Sequence, residues 1–172
     1  MRPKVPASQL PEIVAELEEY VSQAGWDQPA RLFALVATDE IISEEPAIAA
    51  ALGLTPGGVT PVEQDEFDIQ SPLDEALASI AWPEKVRGAA LAVERVLLPP
   101  EAEQDLPDGV DTDALVSAVD ADPRRQEVRI VVAVNPAGEH FCLLRLRAHP
   151  DDLLTGQDLV PQLAEALAST FA

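Results

Sequence analysis

Few residue types in this chain are equipped for chemistry. There is one cysteine, Cys142, and two histidines, His140 and His149. Cys142 and His140 stand two apart in an apolar stretch, so on a β-strand they share a face with roughly 6.5 Å between their Cα atoms. A nucleophilic thiolate–imidazole pair needs closer approach and an electropositive setting. Cysteine is also among the residues most often buried, so a packed core thiol is expected. His149-Pro150-Asp151-Asp152 offers an imidazole and two carboxylates suited to Zn²⁺ or Mn²⁺, but the same string describes a solvated turn. Arginine is scarce and therefore informative. Arg87 and Arg95 flank one apolar stretch, while Arg129, Arg145 and Arg147 lie in another. Guanidiniums gathered at a sheet margin can form a bidentate pocket for a small anion or carboxylate. These five are the candidate anion-binding residues, with His140 and Cys142 as further candidates; pairing with the chain's own helix glutamates is the expected use of the arginines.

Other constellations are incomplete. Thr55-Pro-Gly-Gly58 lacks the lysine and hydroxyl of a phosphate loop, and the chain has no GxGxxG, HExxH or GxSxG pattern. Asp105, Asp108, Asp111 and Asp113, like Glu63, Asp65, Glu66 and Asp68, are dense in carboxylates but lack the order of a calcium loop. No catalytic residue, cofactor or metal site is assigned. Trp26 and Trp82 stand at element ends close to prolines, where an aromatic clamps a loop onto the core.

The elements that must position these groups follow from apolar periodicity. Residues 1–7 form a flexible arm and 8–172 a single α+β domain. Leu10, Ile13, Val14, Leu17 and Val21 mark one face of a helix, capped by Ser8 and stopped by Gly25. Arg31 to Ala37 predicts a buried strand. Residues 39–43 and 46–52 predict two short helices ended by Gly53, and 53–70 a loop anchored by Val62 and Phe67. Ser71-Pro72 with Asp74 opens a helix that buries Leu73, Leu77 and Ile80. Residues 86–98 read as a second strand, its alanines inviting a close helix, and 112–119 as a short helix. Residues 127–147 read as a hairpin around a type I turn at Asn135-Pro-Ala-Gly138. Pairing Asn135 with Gly138 puts Val128, Ile130, Val132, Phe141 and Leu143 on one face, and Val131, Ala133, His140, Cys142 and Leu144 on the other. A final helix begins near Asp158. The sum is an α+β fold: a mainly antiparallel sheet of four or five strands with helices packed on at least one face. A parallel pair between the first two strands is also open.

Charge narrows the partners. The 172 residues (18.4 kDa) hold 31 acidic and 11 basic side chains, a formal charge of −20, with 47% hydrophobic residues. That balance is globular in composition and repels phosphate backbones and acidic lipids, so no nucleic acid and no membrane is expected as partner. The field is uneven. Residues 61–123 carry 16 acids and 3 bases, whereas 124–172 carry 6 acids and 5 bases. One cysteine allows no internal disulfide. No apolar leader follows Met1, and the uncharged run from Pro46 is broken by Gly53, Pro56, Gly57 and Gly58; the expected location is the cytoplasm.

Gly25-Trp-Asp-Gln-Pro-Ala-Arg-Leu-Phe-Ala-Leu35, Ile80-Ala-Trp-Pro83, Gly88-Ala-Ala-Leu-Ala-Val-Glu-Arg-Val-Leu-Leu-Pro-Pro100 and Leu154-Thr-Gly-Gln-Asp-Leu-Val-Pro161 resemble an uncharacterised family of acidic actinobacterial proteins. The resemblance implies a cytoplasmic bacterial protein and carries over no catalytic or ligand residue. The functional expectation is a non-enzymatic protein-interaction or adaptor protein whose field steers a basic protein partner. The alternative is a small-molecule binder or enzyme using an arginine-lined pocket. Homodimer formation through a sheet edge is a third reading.

Overall fold

The computed structural model describes residues 4–64, 73–97, 101, 104–106, 109, 114, 117–118, 121–156 and 159–171. At its centre is one six-stranded sheet. The strands are β1 (Arg31–Ala37), β2 (Val59–Glu63), β3 (Val86–Leu97), β4 (Gln126–Val134), β5 (His140–Leu146) and β6 (Leu153–Gly156), in the order β2-β1-β3-β4-β5-β6 with every pair antiparallel. The fold class is α+β, with six strands where four or five were expected. Both extra strands are short edges. β2 lies in the expected loop, and its Pro61 is tolerated because an edge strand can spare an N–H. β6 is four residues long, too short to announce itself by alternation. The parallel option for the first two strong strands is not realised, since β1 and β3 pair antiparallel.

Helices cover both faces. Helix α1 (Leu10–Ser22) lays Leu10, Ile13, Val14, Leu17 and Val21 against Phe33, Leu35, Ala90, Ala92, Val131 and Leu143. The alanines of β3 let it come close. On the opposite face α4 (Leu73–Ala78) and α5 (Pro161–Ala168) bring Ala76, Leu77, Ala164 and Leu167 onto Leu91, Ile130, Val132, Cys142 and Leu144. Helices α2 (Thr38–Glu44) and α3 (Pro46–Leu52) run on from β1, and Gly53 ends α3 in the left-handed region (φ 68°). Helix α1 has no side-chain cap; a 3₁₀ turn at Ala7–Gln9 leads into it, so the expected Ser8 cap is not formed. The Ser71-Pro72 cap and five of the eight residues 112–119 lie outside the described residues.

The hairpin turn corrects the expected faces. Gly138 N–H donates to Asn135 O (2.9 Å) and Asn135 N–H to Glu139 O (3.0 Å), with Gly138 left-handed at φ 86°. This is a hydrogen-bonded turn closed by a left-handed glycine, a three-residue loop rather than a two-residue one. Val134 therefore pairs with His140, not with Glu139. A one-residue slip reverses a strand: Cys142 and Leu144 join Ile130 and Val132, while Phe141, Leu143 and Arg145 join Val131 and Arg129. Asn135 is fully buried and fully used. Its Oδ1 accepts from Ala137 and Glu139 N–H, and its Nδ2 donates to Glu139 Oε1 and Val5 O (both 2.9 Å). Val5, within the expected arm, is itself buried and donates its N–H to Arg87 O (2.9 Å). It lies over Gly88, where a Cβ would stand 2.7 Å from Val134 O and 2.9 Å from Val5 Cγ1.

Candidate functional site: an arginine cluster closed by the first helix

Register places Arg129 of β4 directly opposite Arg145 of β5, both on the face that α1 covers. Like charges side by side on a sheet repel, and here one is 1% exposed. The carboxylate that makes this tolerable comes from α1. Glu18, also 1% exposed, accepts from Arg145 through both oxygens (Nε–Oε1 2.6 Å, Nη2–Oε2 2.8 Å) and from Arg129 Nη1 (3.2 Å). Burial pushes the Glu18 carboxyl up, but the hydrogen bonds and charge of Arg145 and Arg129 outweigh it and hold it below the usual range.

The loop after α1 completes the cluster. Arg129 Nη2 donates to Gly25 O (2.6 Å), and the Trp26 ring lies 4.4 Å from the Arg129 guanidinium carbon and 5.5 Å from that of Arg147. Arg147 donates to both oxygens of Asp27 (3.0 and 3.3 Å) and to Glu127 (3.1 Å), and hydrogen bonding to Asp27 raises its pKa. Asp27 sits at φ 66°, a left-handed conformation that aspartate tolerates better than most. Glu94, opposite Arg129 across β3 and β4, accepts the N–H groups of Asp27 (2.9 Å) and Gln28 (3.0 Å). Three arginines thus meet Glu18, Asp27 and Glu127 of the same chain. The cavity beneath Arg129 and Glu94 measures about 10 Å³, room for no more than a single water.

The sequence candidates therefore divide. Arg129, Arg145 and Arg147 converge. Arg95 is exposed and alternates to the opposite face, donating to Glu94 O (3.2 Å). Arg87 lies toward the start of β3, 3.8 Å from Glu40. His140 stands where β5 leaves the turn, its Nδ1 3.1 Å from Gly138 O. Cys142 is wholly buried in the core under α5. Among the described residues no three His, Cys, Asp or Glu side chains are grouped to hold a metal ion, and no helix is long and apolar enough to cross a membrane. Trp82 clamps the C-terminus: it stacks on Phe171 at 6.0 Å and donates to Thr170 Oγ1 (2.7 Å).

Helix glutamates are the expected partners of the arginines, but the sequence reading does not single out Glu18 among them, and it misses Asp27, Glu127 and the stacking of Trp26; Glu18 alone leaves a signal. Glu18 follows Val14 by four residues and precedes Val21 by three, so it belongs to the buried stripe of α1. A carboxylate there announces a buried cation. The Trp26 stacking had no such signal, because it depends on a loop meeting strands about a hundred residues distant.

A wider depression of about 320 Å³ opens at the far end of the hairpin, lined by Arg125, Glu127, Leu146, Arg147 and His149 among others. Residues 10–172 match the family described as PPA1309-like protein. No curated protein and no solved structure matches.

Proposed function

The chain belongs to the PPA1309-like protein family, and from that premise we propose that it is a non-enzymatic interaction protein that docks a basic, amphipathic segment of a partner protein on α2 and α3. The observation that carries this reading is helix α3 itself. It has no charged residue, and Ile48 and Leu52, one turn apart on the same side, are 51% and 65% exposed. Asp39, Glu44 and Glu45 are exposed in and just after α2. Apolar anchors beside carboxylates suit a segment alternating leucine-type side chains with lysine or arginine. A formal charge of −20 supplies the steering. The arginine cluster supports the reading by its occupation: Glu18, Asp27, Glu127 and the Gly25 carbonyl already take most of its guanidinium donors.

The test is fluorescence anisotropy with labelled leucine–arginine amphipathic peptides. Binding should weaken at least about tenfold between 50 and 300 mM salt and be lost in the Ile48→Glu/Leu52→Glu variant at unchanged circular dichroism. Adding two acids strengthens a purely electrostatic association, so loss of binding isolates the apolar anchors. Equal or tighter binding by the variant refutes the proposal.

The depression at Arg125, Arg147 and His149 favours a second reading, a small carboxylate- or phosphate-bearing ligand. A melting-temperature screen with such anions, repeated on Arg125→Ala, checks it: stabilisation lost in the variant supports it, and no stabilisation by any anion removes it.

A further inference from the structure

The two edges of the sheet are finished differently. At one edge β2 carries Pro61, which removes a backbone donor, and its Glu63 is locked to Arg31 by two hydrogen bonds (2.7 and 2.8 Å). Proline and inward-tied charge are the usual devices against strand addition. At the other edge β6 reads Leu-Leu-Thr-Gly, with no proline and no lysine, and among the described residues it pairs on one side only, with β5. Its side chains are uncovered as well. Leu153 is 44% and Leu154 51% exposed, and Leu159, which packs over Gly156, is 39% exposed. Leu154 stands opposite Leu144 and so lies on the α5 face; Leu153 stands opposite Arg145 and lies on the α1 face. Leucines flank this edge above and below the sheet.

We infer that two copies of this chain pair through β6, antiparallel about a two-fold axis, into one continuous twelve-stranded sheet. An antiparallel edge is self-complementary, so the same groups donate and accept in both copies. Leu153 and Leu154 then meet their counterparts on both faces, with Leu159 widening the apolar strip on the α5 side. Charge permits a second copy at this edge more readily than elsewhere on so acidic a chain. Residues 124–172 hold 6 acids and 5 bases, against 16 and 3 over 61–123. Although Asp151 and Asp152 immediately precede β6, Arg145 stands opposite Leu153 and offsets Asp151, with screening beyond about 8 Å at physiological salt. Pairing edges of four residues buries little area, so the dimer is concentration-dependent. This contact is separate from the α2–α3 surface, and the two stand or fall independently.

Sedimentation equilibrium from about 1 to 200 μM tests it. The expected mass rises from the 18.4 kDa monomer toward twice that value, while Leu153→Lys/Leu154→Lys stays monomeric with unchanged circular dichroism. Hydrogen exchange on the unmodified protein gives a second readout that survives a misfolded variant: amides of 153–156 slow as concentration rises, and those of 59–63 do not. A monomer throughout, a dimer that persists in the folded variant, or concentration-dependent protection confined to 59–63 overturns the inference.

Discussion

The two faces of the sheet solve one problem by different means. Under α4 and α5 the core among the described residues is apolar, from Leu91 and Ile130 to Cys142 and Leu167, with the Trp82–Thr170 hydrogen bond at its margin. Under α1 an equally apolar patch ends in charge: Glu18 between Arg129 and Arg145, Arg31 on Glu63, and Glu94 capping the loop at 27–28. Apolar burial holds a helix down without fixing where along the sheet it rests. Glu18 adds a position, because only one placement of α1 brings its two oxygens to both guanidiniums. The comparison assigns adhesion to one face and registration to the other, a hypothesis that variants can break.

The largest effect is expected at Glu18. Removing one partner of a buried ion group strands the others, so Glu18→Ala should cost about 3–5 kcal/mol in urea unfolding. Leu167→Ala on the apolar face should cost somewhat less, about 3 kcal/mol, as transfer and cavity terms combine. The two losses differ in kind. Loss of Glu18 should also change the near-ultraviolet signal of Trp26, which stacks on Arg129, whereas loss of Leu167 should leave Trp26 alone. If Glu18→Ala costs under 1 kcal/mol, the registration role is gone.

Acid sharpens the same contrast. The Glu18 pKa is lowered in the folded chain, so the unfolded state binds its proton first as pH falls. Its stabilisation is complete above the unfolded value of about 4.3 and is lost as pH drops through the lower folded value. The urea midpoint should therefore fall across that window. In a variant that replaces the three charges together by apolar side chains (Glu18→Leu, Arg129→Met, Arg145→Leu), the fall should be shallower. Such a variant can match or exceed the native stability at neutral pH. An identical acid profile in both proteins would locate the sensitive carboxylate elsewhere.

What the sequence made legible follows the same division. Runs such as Leu32 to Val36 and Val128 to Val134 declare buried strands because period and hydrophobicity agree, and Gly25 and Gly53 mark helix stops by backbone freedom alone. Edges are harder. β2 hides behind Pro61 and β6 in four residues, since an edge needs neither a long alternation nor a full set of donors. The faces of the hairpin turned on one residue in the Asn135–Gly138 turn, where four-residue chemistry is compatible with two registers and the left-handed Gly138 selects one. The arginine cluster was half visible: the cations showed by scarcity, but of their carboxylates Glu18 and Asp27 come from α1 and the loop after it. The place of Glu18 in the buried stripe announces a cation without saying which one, 111 residues away, it meets.

The smallest effect tests whether registration extends to the rim of the α1 face. Arg31 binds Glu63 with both Nε and Nη2, and its guanidinium lies 5.2 Å from the Tyr20 ring and 5.7 Å from that of Phe33. It thereby links the end of α1 to the edge strand. Lysine keeps the charge but loses the planar fork and most of the stacking. Arg31→Lys should cost about 0.5–1 kcal/mol, in keeping with a partly exposed pair. The informative readout is local: hydrogen exchange should quicken at 59–63 in β2 while the amides of β4 stay as they were. Because Glu63 hydrogen-bonds Arg31 from the strand that seals this edge, faster exchange there would mark the pair as a fastening of β2. Unchanged exchange would confine the registering charges to Glu18, Arg129 and Arg145.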